Sequence, residues 1–172
     1  VSEKGWVGAR TGHGHDPAGF AFKAGDGLYG TFECRTVDVL LAWGSNGRVY
    51  SVPVSALPGA RGDGQPVTTL IELEAGTQLM HYIAAPTAAV LLLSGSGGYG
   101  FLATVESMVS RVKGGKSFMT LSDGETVCRP SLVSGANANG PDGQPWPAAT
   151  HVCCASTGGR ILTFEIGELK AM

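Results

Sequence analysis

An all-β array of short, turn-rich blades is the fold class this sequence predicts, and three observations predict it. Glycine supplies 27 of 172 residues, about twice its usual ~7% share, and nine prolines are scattered singly, a composition that suits many tight turns between short strands. A glycine-centred hairpin recurs along the chain with matching apolar positions around it. No stretch reads as a long helix.

The recurrence sets the order of elements. VLLAWGSNGRVYSVPVSALP from Val39, VLLLSGSGGYGFLATVESMV from Val90 and VCCASTGGRILTFEIGELKA from Val152 align on Gly47, Gly98 and Gly159. The third residue after the glycine is then Tyr50, Phe101 or Leu162, the seventh Val54, Val105 or Ile166, and the tenth Leu57, Met108 or Leu169. A decayed first copy begins at Lys4-Gly5-Trp6-Val7. The turn pairs Lys4-Gly5, Asn46-Gly47, Gly97-Gly98 and Gly158-Gly159 place glycine where a tight hairpin turn needs positive φ, so each repeat opens with a hairpin. Short helical turns are expected behind it, at Val54 to Leu57, Val105 to Met108 and Ile166 to Leu169.

A second signature follows the first three hairpins: Lys23-Ala24-Gly25-Asp26-Gly27-Leu28, Glu74-Ala75-Gly76-Thr77-Gln78-Leu79 and Ser122-Asp123-Gly124-Glu125-Thr126-Val127. It reads as the turn between a third strand and a fourth. Four strands in about 40 to 50 residues is the period of propeller-like blades, whose sheets hide their apolar faces against one another. The chain therefore reads as one domain fragment, 1–172, with approximate repeats 1–36, 37–86, 87–149 and 150–172, the last cut short. Ser134 to Pro147, rich in Gly, Asn and Pro, reads as a surface insertion.

Composition narrows the function classes. Charged residues are 15% against a typical ~25%, which excludes a disordered chain or a coiled coil. The longest apolar run, Ala88 to Leu93, is far short of the roughly 20 residues a membrane helix needs, so no membrane insertion is expected. The formal net charge of −2 weighs against a nucleic-acid partner. Cys34, Cys128, Cys153 and Cys154 form no CxxC pair and read as buried, reduced thiols of a cytosolic protein, with Cys153 and Cys154 on opposite faces of a strand.

Candidate chemistry is sparse. Gly95 to Gly100 fits GxGxxG, but Phe101 to Val105 reads as a strand where a dinucleotide site needs a helix. His13, His15 and Asp16 lack further ligands at metal-site spacing and read as a glycine-rich loop. Arg61-Gly62-Asp63 is a coincidental tripeptide. No nucleophile has a partner base, so no catalytic residue and no metal site is expected. Positive charge is the remaining signal. Ser110 to Ser117 carries Arg111, Lys113 and Lys116 with no acid, Arg61 occupies the same place one blade earlier, and Arg48 and Arg160 each follow a hairpin glycine. Lys4 and Arg10 flank the first hairpin, while Glu72, Glu74, Asp123 and Glu125 sit near the other turn signature and read as segregated from the cations. A near-neutral total thus leaves two readings open, a basic rim or a solvated mixed-charge surface.

KGWV from Lys4, KAGD from Lys23, LPGARGDGQPVT from Leu57, SGSGGYGF from Ser94 and SRVKGGK from Ser110 run in order through nearly the whole chain. With these motifs the sequence resembles the C-terminal DNA-binding domain of the A-subunit of bacterial topoisomerase IV, sister to that of the gyrase A-subunit. The resemblance implies an incomplete or open β-pinwheel, a propeller relative whose blades exchange strands. It implies binding and bending of duplex DNA without sequence reading, presenting DNA segments for strand passage and biasing which crossings pass. The expected phosphate contacts are Arg10, Arg48, Arg61, Arg111, Lys113, Lys116 and Arg160, with Lys4, Lys23 and Arg129 behind them. Catalysis, ATP and Mg belong to other domains or subunits of such an enzyme, so no cofactor is expected here. The implied partners are duplex DNA, the rest of the A-subunit and, through it, the ATPase-bearing B-subunit. The implied location is cytoplasmic and chromosome-associated, extending to peripheral membrane association of the full-length enzyme. Gyrase's glutamine-led box has only an echo in Arg111 to Lys116, which favours shallow bending over wrapping. A gyrase-type wrapping domain and a propeller-like protein scaffold are the alternatives.

Overall fold

The computed structural model describes residues 1–59, 62, 64–134 and 149–172. Arg61 lies outside them, as does the expected insertion beyond Ser134. The turn glycines are left-handed, with φ of +79° at Gly5 and Gly47, +92° at Gly98 and +76° at Gly159. A short β1 (Trp6–Val7) follows the first of these turns. The other three join β2 (Val39–Gly44) to β3 (Arg48–Pro53), β6 (Val90–Ser94) to β7 (Gly100–Thr104), and β10 (His151–Ala155) to β11 (Ile161–Glu165). Behind each hairpin comes the expected helical turn: 3₁₀ at Val54–Ala56, the one-turn α1 (Val105–Met108), and 3₁₀ at Ile166–Glu168. Thr104 caps α1 by accepting from the Ser107 amide at 3.2 Å.

The third strand of each repeat leaves its own blade. β4 (Gln65–Pro66) pairs with β1, and β8 (Lys116–Ser117) pairs with β3, one repeat back each time. Ala171 makes the corresponding isolated bridge to Leu102 of β7. The fourth strand returns: β5 (Leu79–Ala85) lies against β2, and β9 (Ser131–Ser134) against β6. The completed sheet of the second repeat reads β5-β2-β3-β8. Its outermost strand comes from the third repeat.

Burial explains why VLLAWG is apolar throughout instead of alternating. Val39, Leu41 and Trp43 pack with Leu91, Leu93, Val105 and Met108 of the next repeat, and Leu40 and Ala42 pack with Tyr50, Tyr82, Val7 and Val67 on the other side. A strand covered on both faces has no polar register to keep. The β10–β11 pair is the contrast, because most of its residues, Ile161 and Leu162 among them, are exposed. The expected buried thiols are corrected on this point. All four cysteines are free, but Cys153 and Cys154 are exposed and Cys34 and Cys128 only half-buried. A two-stranded sheet leaves both of its faces largely open.

One polar tie joins three repeats. The Tyr82 amide donates to the Tyr29 hydroxyl at 3.2 Å, Tyr29 lies 3.2 Å from His81 Nδ1, and His81 Nε2 lies 3.0 Å from the Val127 carbonyl. A carbonyl only accepts, so Nε2 carries the proton and Nδ1 accepts from Tyr29. Burial lowers the His81 pKa and the nearby Arg129 charge adds to it, against the opposing pull of the Val127 carbonyl. The folded state thus binds the proton less readily than the unfolded chain. Stability that is fully present above the ordinary histidine value of 6.5 is lost as pH falls below it. Urea midpoints should drop between about pH 7.5 and about pH 5, and His81→Gln should flatten that dependence. An equally steep curve in the variant would assign it to other groups.

Candidate nucleic-acid interface

The strand exchange builds the site. Beyond α1, the chain turns outward along β3 and is held at both ends. Ser51 Oγ donates to the Ser110 carbonyl at 3.0 Å and accepts from the Ser110 amide at 2.9 Å. At the far end the Phe118 and Met119 amides donate to the Gly47 carbonyl at 3.3 and 3.0 Å. Between these anchors the Gly115 amide closes a turn on the Val112 carbonyl at 3.1 Å, and the Glu72 amide donates to the Lys113 carbonyl at 3.0 Å. Gly115 is left-handed at φ +60°, and a Cβ there would run into the Val49 carbonyl oxygen, so this close approach requires glycine. Gly64 makes the same approach to the Val7 carbonyl one repeat earlier. Exchange by this device therefore places 111–116 on the outer edge of the second blade's sheet.

On that loop Arg111 and Lys113 are exposed, and the half-buried Lys116 sets its ammonium 5.7 Å from the Phe118 ring centroid. Val112, 64% exposed, stands between them. Three cations thus project from a backbone that its own hydrogen bonds hold in place. Such an arrangement can receive an anionic polymer without ordering first.

The other predicted cations separate into groups. Arg160 is exposed on the turn into β11. Arg10 is exposed beside Phe20, its guanidinium carbon 4.6 Å from the ring centroid. Lys23 places its ammonium 3.5 Å from the Trp6 ring centroid, and Arg129 stacks on Tyr29 at 4.6 Å. Lys4 lies at the first turn, where Asp26 accepts from the Ser2 hydroxyl at 2.7 Å and the Lys4 amide at 3.0 Å. Desolvation pulls against it, but these bonds, the Gly27 amide and the Lys4 charge together hold the Asp26 carboxyl below its ordinary range.

Arg48 differs in setting from the other predicted cations. Its Nε and one terminal nitrogen donate to the Gly114 carbonyl at 3.2 and 3.0 Å, and the same terminal nitrogen reaches the Gly115 carbonyl at 3.2 Å. Glu74 Oε2 lies 3.7 Å from its Nε. The side chain is turned into the protein because β8 runs directly beside it, a neighbour that sequence spacing does not reveal. The Arg48 Nε and this terminal nitrogen are thus engaged by the loop backbone.

The expected segregation of acids from cations is corrected too. Ser45 and Ser96, on the hairpin turns, donate their amides to the Gln78 and Thr126 carbonyls at 2.7 and 2.9 Å. These bonds press the acidic turn of each repeat against its own hairpin tip, so Glu74 meets Asn46 at 2.8 Å. The hairpin-tip side is therefore mixed in charge. Within the described residues, the outer loop is the place where cations cluster without acidic side chains interleaved in sequence.

The remaining motifs have structural settings. Gly95 to Gly100 links β6 to β7 as a hairpin, with strand β7 where a dinucleotide site needs a helix. Asp16 accepts from the Ala18 amide at 2.9 Å and caps the 3₁₀ turn Pro17–Gly19, and His15 Nε2 lies 3.1 Å from the Thr11 carbonyl. Among the described residues no three His, Cys, Asp or Glu side chains converge as metal ligands, and no helix is long and apolar enough to cross a membrane.

No family model matches the chain. Similarity to individual proteins decides the matter: the A-subunit of DNA topoisomerase 4 from Neisseria gonorrhoeae is 41% identical over 177 residues, an alignment covering 100% of this chain and 22% of that protein. The chain belongs to the topoisomerase IV A-subunit family. Its part in that family is the C-terminal domain, since the solved ParC C-terminal domain of Escherichia coli superposes with a TM-score of 0.84 at 28% identity over 100% of this chain and 65% of that one. A gyrase A C-terminal domain superposes at 0.62 with 16% identity, over 100% of this chain and 55% of that one, which speaks for a shared fold. The fold of this topoisomerase IV domain is thus a β-pinwheel, and among the described residues its sheets do not close on one another. The chain spans about a fifth of the length of the curated relatives it matches.

Proposed function

We propose that this topoisomerase C-terminal domain binds duplex DNA without reading its sequence and bends it along the outer blade edge. The observation that carries the reading is the pinned loop bearing Arg111, Lys113 and Lys116, with Arg10 and Arg160 as further phosphate contacts. Phosphate contacts supply affinity and position but carry no base information, which suits a domain that must accept any segment. Arginine grips phosphate bidentately, and lysine acts as a mobile point charge. In the whole enzyme the domain would present DNA segments for strand passage and bias the crossings chosen. Its partners there would be the remainder of the A-subunit and, through it, the ATPase-bearing polypeptide, with cleavage and ATP and Mg chemistry outside this domain.

Titration of two unrelated duplexes by fluorescence anisotropy tests the reading. With about four to six phosphate contacts, log affinity should fall with log salt at a slope of roughly −4 to −5, alike for both sequences. Binding that ignores salt, or no binding at all, would favour a protein-docking scaffold instead.

A further inference from the structure

Arg48 belongs to the second repeat, yet its hydrogen bonds go to the third. Three N–H···O contacts of 3.0 to 3.2 Å join its guanidinium to the carbonyls of Gly114 and Gly115. This dipeptide lies between Lys113 and Lys116, and as Gly-Gly it is the stretch of the loop with most backbone freedom to lose. Glu74 Oε2 lies 3.7 Å from the Arg48 Nε, and Asn46 Nδ2 in turn donates to Glu74 at 2.8 Å. The side chain is 31% exposed, with most of its surface taken up by these contacts.

We propose that Arg48 is a positioning residue, which orders the basic loop in advance so that Arg111, Lys113 and Lys116 meet phosphate from a fixed frame. This rests on the DNA-binding reading above. A lysine does not replace Arg48, because an ammonium lacks the planar pair of donors, Nε–H and a terminal N–H, that together clasp the Gly114 carbonyl. With its Nε and one terminal nitrogen engaged by the loop carbonyls and Glu74 beside its Nε, Arg48 on this proposal displaces no counterion from DNA.

The test is Arg48→Ala in the full chain, measured by anisotropy with a mixed-sequence duplex between about 50 and 200 mM salt, with melting followed in parallel. Affinity should fall roughly 5- to 30-fold at every salt concentration, the factor that fixing one backbone residue is worth. The salt slope should not change. Arg48→Lys should recover little of the loss. Adding Gly114→Ala to Arg48→Ala should recover several-fold, because Gly114 is not left-handed, its Cβ would meet nothing within 4 Å, and alanine narrows the unbound loop's freedom. A slope flattened by about 0.9 would make Arg48 a direct phosphate contact and overturn the proposal. So would lowered melting with unchanged affinity and no rescue, the signature of a purely structural role. Should Arg48→Ala not fold, Arg48→Lys decides by the same readings. If the triple loop variant Arg111→Ala, Lys113→Ala, Lys116→Ala binds like the wild type, the loop is not the phosphate-contact surface, and the reading above fails at that loop. If the triple variant loses affinity and the Arg48 variants do not, only the positioning role fails.

Discussion

Changing Arg111, Lys113 and Lys116 together to alanine should flatten the salt slope of DNA binding by up to ~3. Each lost contact removes about 0.9 from the slope, so at about 0.1 M salt affinity should drop by roughly two to three orders of magnitude. The fold should tolerate the change. The loop is held by backbone groups of Ser110, Val112, Lys113, Gly114 and Gly115, not by the three charged heads. Melting should therefore move by no more than the ~0.5 kcal/mol expected of surface substitutions. Changing the exposed His13 and His15 should alter neither affinity nor slope. In an intact enzyme of this family the triple change should shift relative rates on positively and negatively supercoiled DNA more than it shifts cleavage. Wild-type slope in the triple variant would move the contact surface to the cations around Arg10 and Arg160.

The second large effect concerns stability, and it separates two glycines that look alike in the repeat. Gly47 and Gly98 are both left-handed, so alanine at either costs about 1 to 2 kcal/mol of backbone strain. At Gly98 nothing lies within 4 Å of a Cβ, and the cost should end there. At Gly47 a Cβ would collide with the Met119 carbonyl oxygen, where the exchanged strand of the next repeat passes. Relieving the collision pulls Phe118 and Met119 off the Gly47 carbonyl, two bonds worth about 1 kcal/mol each, and loosens the buried Met119. Gly47→Ala should therefore cost roughly 3 to 5 kcal/mol in denaturant unfolding, against about 1 to 2 for Gly98→Ala. Equal losses would mean that the exchanged strand does not seat on Gly47.

What the sequence determined by itself is local. The hairpin turns were legible because a turn at positive φ selects glycine, and the helical turns because Val54, Val105 and Ile166 recur at one offset from it. The basic loop was legible as an acid-free run. The exchange of strands came from family resemblance and not from any residue pattern, since pairing β8 with β3 joins segments nearly seventy residues apart and leaves no periodicity. The tertiary structure alone decided the consequences of that non-local pairing. It turned Arg48 onto the Gly114 and Gly115 carbonyls, set the Met119 carbonyl against Gly47 but nothing against Gly98, and brought Glu74 beside Arg48, from which it is separated in sequence. It also left Cys153 and Cys154 exposed, because an apolar or thiol side chain is buried only where another sheet covers its face. Turn chemistry depends on a residue and its immediate neighbours, whereas burial and hydrogen-bond partners depend on which distant strand arrives alongside.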